Sequence, residues 1–205
     1  MCPETPESFP PQIKMKKKIL IAAAICLALA AIWLLFVRKE NNGSYVINNV
    51  NSLTPNNAMK IESDAFSNNG KIPEQYSCYG TAQAIPLRVS GVPAETKSLA
   101  IIADDPDAPS GTFVHWVIWN IDPKTSVLST DNPPEGSVQG TTSLGKPGFV
   151  APCPPAGTHR YIFKLYALDK KLSLPPSSGK EALEKAMERH ILENFELTGL
   201  YGRKN

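Results

Sequence analysis

Residue patterning predicts a mostly β fold: a β-sandwich with one C-terminal helix, preceded by a single N-terminal transmembrane helix. Three observations carry that expectation. Apolar runs of strand length recur at residues 87–89, 98–103, 113–121 and 161–168, separated by clusters of Pro, Gly, Asp and Ser. Two of them, at 114–119 and 161–166, are too apolar for strands with one face in water, which places them in the middle of packed sheets. Finally, residues 19–37 form 19 consecutive apolar positions. As a helix rising ~1.5 Å per residue, that run matches a hydrocarbon core of ~30 Å.

From the N-terminus, residues 1–18 read as a short cytoplasmic tail and 19–37 as the anchor. Lys14, Lys16, Lys17 and Lys18 precede the apolar run, whereas Arg38 and Lys39 follow it beside Glu40. The positive-inside rule then expects a single-pass protein of the bacterial inner membrane with its C-terminal domain in the periplasm. Ala28-Leu29-Ala30 resembles a peptidase site, so export after cleavage stays open as the alternative. The apolar run continues to Val37, which favours an uncleaved anchor. Residues 38–57, rich in Asn, Ser and Thr, read as a linker that cannot bury enough surface to order itself. Residues 58–205 are then a domain of ordinary single-core size. A net charge of +2 gives no reason to expect nucleic acid as a partner.

The connection at 122–148 carries eight Pro and Gly residues, so it is expected to lack regular structure and to wall a binding site. After Pro175-Pro176, Ser178 and Glu181 have capping-box spacing, and the pattern predicts a helix to about Asn194. Leu183, Ala186, Met187, His190 and Ile191 would share its buried face, with His190 a packing residue.

Chemistry-bearing side chains concentrate in two stretches. Asp105-Pro106-Asp107-Ala108-Pro109 runs on to His115-Trp116, and Pro152-Cys153-Pro154-Pro155 runs on to His159-Arg160-Tyr161. Carboxylate, imidazoles and phenol would sit at strand ends beside stiff proline loops, an arrangement suited to an anion pocket. Alone, His115 among Val114, Trp116 and Val117 would be a satisfied core residue; its coincidence with His159 argues for more. Arg160 alternates away from His159 and Tyr161, so an ion pair with Asp104 or Asp107 is expected for it. Asp107 is expected to make a turn. There is no Gly-x-Ser-x-Gly elbow, and the Asp105, His115 and His159 spacing matches no standard metal-ligand motif.

With Gly157-Thr158-His159-Arg160-Tyr161, Glu196-Leu197-Thr198-Gly199-Leu200-Tyr201 and Ile72-Pro73-Glu74-Gln75-Tyr76-Ser77-Cys78 added, the chain resembles the phosphatidylethanolamine-binding proteins. The likeness is to their bacterial, Raf-kinase-inhibitor-like branch. The resemblance implies an antiparallel sandwich with a small anion cavity lined by Asp105, His115, His159 and Tyr161. It also implies walls from Pro109 and Pro155, and a backbone donor near Cys153. Phosphate-like or carboxylate-like groups, including lipid head groups, are the ligands it implies. Tyr79, Thr142 and Ala151 depart from the family pattern, the last by placing a Cβ where a Gly is usual.

Cys78 and Cys153, the only cysteines of residues 58–205, lie on two loops that the resemblance brings close, and a disulfide between them is expected. The competing reading is two free thiols. The expected function is a membrane-tethered, non-enzymatic binding protein for a small anionic or phosphorylated ligand, without cofactor or metal. The alternatives are a water-activating ester or phosphoester hydrolase using Asp105 with His159 or His115, and a kinase-inhibitor-like regulator whose protein partner is unknown.

Overall fold

The computed structural model describes residues 58–203. Among these residues nine strands form two sheets. β1 (Lys60–Glu62), β3 (Pro86–Ser90) and β6 (Val127–Ser129) make a small antiparallel sheet with β3 in its centre. The large sheet has the order β2 (Gly70–Lys71), β9 (Ile191–Gly202), β8 (Thr158–Leu168), β4 (Ser98–Asp105), β5 (Phe113–Ile121) and β7 (Val138–Gln139). Its pairings are antiparallel except for β2 with β9.

The alternation of side chains explains why β4 is buried at every position. Leu99, Ile101 and Ala103 join Trp116, Phe163 and Leu165 in a core closed by Ile61, Leu87, Val89 and Leu128 of the small sheet. Ala100 and Ile102, on the opposite face, join Val117 and Trp119 under the helix α1 (Lys180–Met187), which contributes Leu183 and Met187. The large sheet is therefore covered on both sides, by a sheet and by a helix, as the strongly apolar sequences of β4, β5 and β8 require. Asp104 and Asp105 end β4 on opposite faces. Asp104 meets Lys164 at 3.0 Å and also bonds Lys180 of α1, while Asp105 turns the other way.

Several expectations need correction. The span expected at residues 19–37 lies outside the described residues, as do the tail and linker at 1–57. Among the described residues no helix is long and apolar enough to cross a membrane. Among the described residues the fold class is mostly β with one short C-terminal helix, and the expected transmembrane helix and single-pass inner-membrane placement with a periplasmic domain are withdrawn.

The helix begins after Gly179 with no side-chain cap, so the Ser178 to Glu181 capping box does not form, and it ends at Met187 rather than Asn194. The chain then enters β9, the longest strand, paired with β8 from Thr158↔Gly202 to Leu168↔Ile191. Ile191 is 39% exposed, and His190 is half-buried with Nδ1 bonded to Asp169 at 2.8 Å rather than packed in the core. The open edge of β8 decides this: its unpaired N–H and C=O groups are satisfied by a neighbouring strand, a demand that local helical periodicity does not register. The 122–148 connection likewise contributes β6 and β7, each laid on a sheet edge.

Candidate functional site

At one end of the sandwich, the last residue of β4, the first residues of β5 and β8 and the loop leading into β8 surround a cavity of about 350 Å³. Asp105, Pro109, His115, Cys153, Pro155, His159 and Tyr161 all line it. The separate sequence segments that carry them are therefore brought to one place.

His115 reaches the cavity through a local irregularity. Trp116 pairs with Ala103 and Val114 with Asp104, so His115 is the extra residue of a β-bulge between them. The bulge lets Val114 pack on the helix side and Trp116 on the small-sheet side, with His115 turned to the cavity. Its Nδ1 lies 2.7 Å from the Val150 carbonyl, and the Val150 amide donates back to the His115 carbonyl at 2.9 Å. The reciprocal pair fastens the 141–150 loop to β5. The ring packs 4.7 Å from Phe113 and edge-on to Tyr161 at 5.1 Å between centroids. Burial lowers the His115 pKa below the usual imidazole value.

His159 and Tyr161 are alternate residues of β8 and so face the cavity together. His159 Nδ1 is 2.7 Å from Asp105 Oδ2, and the other Asp105 oxygen accepts from the Asp107 amide at 2.8 Å. The turn after β4 is thus made by Asp105, not by Asp107. The carboxylate of Asp107 instead takes Arg160 in a two-point pair at 2.8 and 2.7 Å, which holds Arg160 away from the cavity. The Arg160 hydrogen bond drops the Asp107 pKa to about 2.

Tyr161 carries the most informative atom. It is 3% exposed, and its hydroxyl proton has no acceptor among the described residues, while the Cys153 backbone is the polar group nearest its oxygen. Burial pushes its pKa well above the ordinary phenol value, so the hydroxyl keeps its proton.

One wall is covalently fixed. Cys78 and Cys153 are joined by a disulfide with Cα atoms 5.3 Å apart. The Cys78 amide donates to Pro152 O at 3.0 Å and the Tyr79 hydroxyl to Pro154 O at 2.9 Å. Tyr79, a departure from the family pattern, stacks on Tyr201 and receives Arg203 over its ring at 5.1 Å. Ala151 lines the cavity without positive φ, so its Cβ imposes no backbone strain there. Thr142, the third departure, is buried and donates to Lys146 O at 2.9 Å.

Patterning missed the apolar rim of Ala108, Phe113, Val150 and Pro154, whereas Leu144 belongs to the 122–148 connection expected as a wall. Leu144 is 54% exposed at the mouth; its position on a proline- and glycine-rich connection was the available signal. No Ser or Thr lines the cavity, Cys153 is held in the disulfide and the Tyr161 hydroxyl keeps its proton, so the His159–Asp105 pair has no serine, threonine or free thiol nucleophile beside it. Among the described residues no three His, Cys, Asp or Glu side chains converge as a metal site. A larger, more open cavity of about 640 Å³ lies between the start of α1 and residues 141–143 and contains none of these groups.

Comparison with known proteins decides the family. The family model for the phosphatidylethanolamine-binding protein matches residues 62–202, from the end of β1 through β9 and including the cavity. The chain belongs to the phosphatidylethanolamine-binding protein family. A UPF0098 protein of Methanothermobacter thermautotrophicus is 49% identical over 150 residues, covering 71% of this chain and 99% of that relative. Another, from Chlamydia muridarum, is 43% identical over 152 residues, covering 70% and 98%. Among solved structures, a phosphatidylethanolamine-binding protein homologue from Chlamydia trachomatis matches with a TM-score of 0.69 at 42% identity, covering 72% of this chain and 99% of that one. YbcL of E. coli matches with a TM-score of 0.66 at 29% identity, covering 71% and 99%.

Proposed function

We propose that this member of the phosphatidylethanolamine-binding protein family is a non-enzymatic binding protein whose cavity takes a small oxyanion, a phosphate-like or carboxylate-like group, free or on a lipid head group. The observation that carries the reading is the Tyr161 hydroxyl, buried inside the cavity with no acceptor for its proton among the described residues. An unsatisfied buried hydroxyl costs about 1–3 kcal/mol, a penalty relieved when a ligand oxygen accepts from it. His159, oriented by Asp105, presents its second ring nitrogen to the same space, where protonation makes it a second donor.

The test is a calorimetric titration of the folded domain with inorganic phosphate and with phosphoethanolamine, in parallel with His159→Ala. Saturable binding that the substitution abolishes supports the site. Absence of heat with both ligands, together with unmoved histidine ring signals in NMR, would refute it.

The His159–Asp105 hydrogen bond also favours one second reading, water activation by His159 for ester or phosphoester hydrolysis. Turnover of a small ester panel that disappears in His159→Ala would establish it.

A further inference from the structure

Resting on the oxyanion reading, we infer that the cavity selects an oxyanion that still carries a proton, such as a phosphomonoester or phosphate monoanion, with its O–H donated to Nε2 of His115. The Val150 carbonyl can only accept. Its 2.7 Å contact therefore fixes the proton of neutral His115 on Nδ1 and leaves Nε2 as a bare lone pair. A fully ionised oxyanion would set its own lone pairs against that nitrogen. A ligand P–O–H or carboxylic O–H fills it, while the remaining oxygens accept from Tyr161 and His159.

Charge points the same way. No lysine or arginine lines the cavity, and Arg160 is turned outward to Asp107. The single cation available, a protonated His159, is already balanced by Asp105 at 2.7 Å. A dianion would enter a largely apolar space without a countercharge, whereas a monoanion sheds far less hydration. The ionisable groups facing His115 are Asp105 of β4 with His159 and Tyr161 of β8, and Asp104 acts on it from the opposite face of β4. The carboxylates favour its protonation and His159 opposes it, while burial outweighs all of them and keeps the ring neutral. His115 thus acts as the specificity-determining acceptor.

The experiment compares inorganic phosphate with sulfate, two tetrahedral anions of similar size, on the wild-type domain. Near pH 6, where phosphate retains an O–H and sulfate has none, phosphate is expected to bind at least about tenfold more tightly, the effect of one hydrogen bond to a charged group. A phosphomonoester such as phosphoethanolamine loses its only P–O–H by about pH 8, so its affinity relative to sulfate is expected to fall by most of that factor between about pH 6 and 8. His115→Gln, which can offer an N–H donor near the Nε2 position, is expected to shift the ratio toward sulfate; circular dichroism checks that it folds. Equal affinities for phosphate and sulfate near pH 6 would overturn proton selection while leaving oxyanion binding intact. Binding of neither anion would overturn the oxyanion reading itself, and this inference with it.

Discussion

Opening the Cys78–Cys153 bond is the perturbation whose size is set most directly by the fold. The bridge joins residues 75 positions apart. In the chain-entropy treatment, a loop of that length removes about 15 cal/mol/K from the unfolded ensemble, or ~4.5 kcal/mol at 25 °C. Little of this is expected to be recovered or lost in the native state. The Cys78 amide to Pro152 and Tyr79 hydroxyl to Pro154 hydrogen bonds hold the two loops together without the sulfurs. Against a domain stability of typically ~5–15 kcal/mol, the loss is a large fraction. Urea unfolding of a Cys78→Ser/Cys153→Ser variant against oxidised wild type is the assay. With a slope of about 2 kcal/mol/M, the midpoint is expected to fall by roughly 2 M. A shift corresponding to less than about 1 kcal/mol would refute the account, as would two alkylatable thiols in the oxidised protein.

Four further outcomes are expected. Tyr161→Phe removes a buried hydroxyl whose proton has no acceptor, so it should leave the free domain as stable or more stable by up to ~1 kcal/mol, while weakening phosphate binding at least about tenfold; chemical denaturation and calorimetry read the two effects separately. Asp104→Asn strips the countercharge from Lys164 and Lys180, whose ends are partly hydrated, and should cost about 2–4 kcal/mol in urea unfolding, with faster amide exchange in α1. Acid titration should find the Asp107 carboxyl near its depressed value of about 2 by NMR. Because that folded-state pKa lies below the unfolded one, its contribution is full above about pH 4 and fades as pH falls through about 2. His115, depressed by burial, acts in the same direction at higher pH: the unfolded ring takes a proton near pH 6.5 that the folded ring resists, so stability falls with acidification below that point.

The central strands were legible because their side-chain chemistry is local. Residues 113–121 read as a strand and form β5, and the runs at 98–103 and 161–168 fall within β4 and β8. The C-terminal segment was misread because Leu183, Met187 and Ile191 keep helical spacing past the point where the helix stops. Its 12 residues from Ile191 to Gly202 became a strand because β8 had an open edge to fill.

The cavity divides along the same line. Residue type marked the two stretches, since acids, imidazoles and a phenol held by prolines have few structural reasons to cluster there, and the family resemblance singled out Asp105, His115, His159 and Tyr161 within them. The sequence also determined that His159 and Tyr161 share a face and that Arg160 does not, because strand alternation is a property of the backbone itself. Only the tertiary structure decided which partner each group would have. A one-residue bulge against β4 turned His115 inward, the Val150 carbonyl from a loop 35 positions away fixed its proton, and closure of the sandwich left the Tyr161 hydroxyl without an acceptor. Partnerships of this kind depend on contacts between distant segments, and it is the packing of whole sheets, not the period of any one strand, that brings those segments within hydrogen-bonding reach.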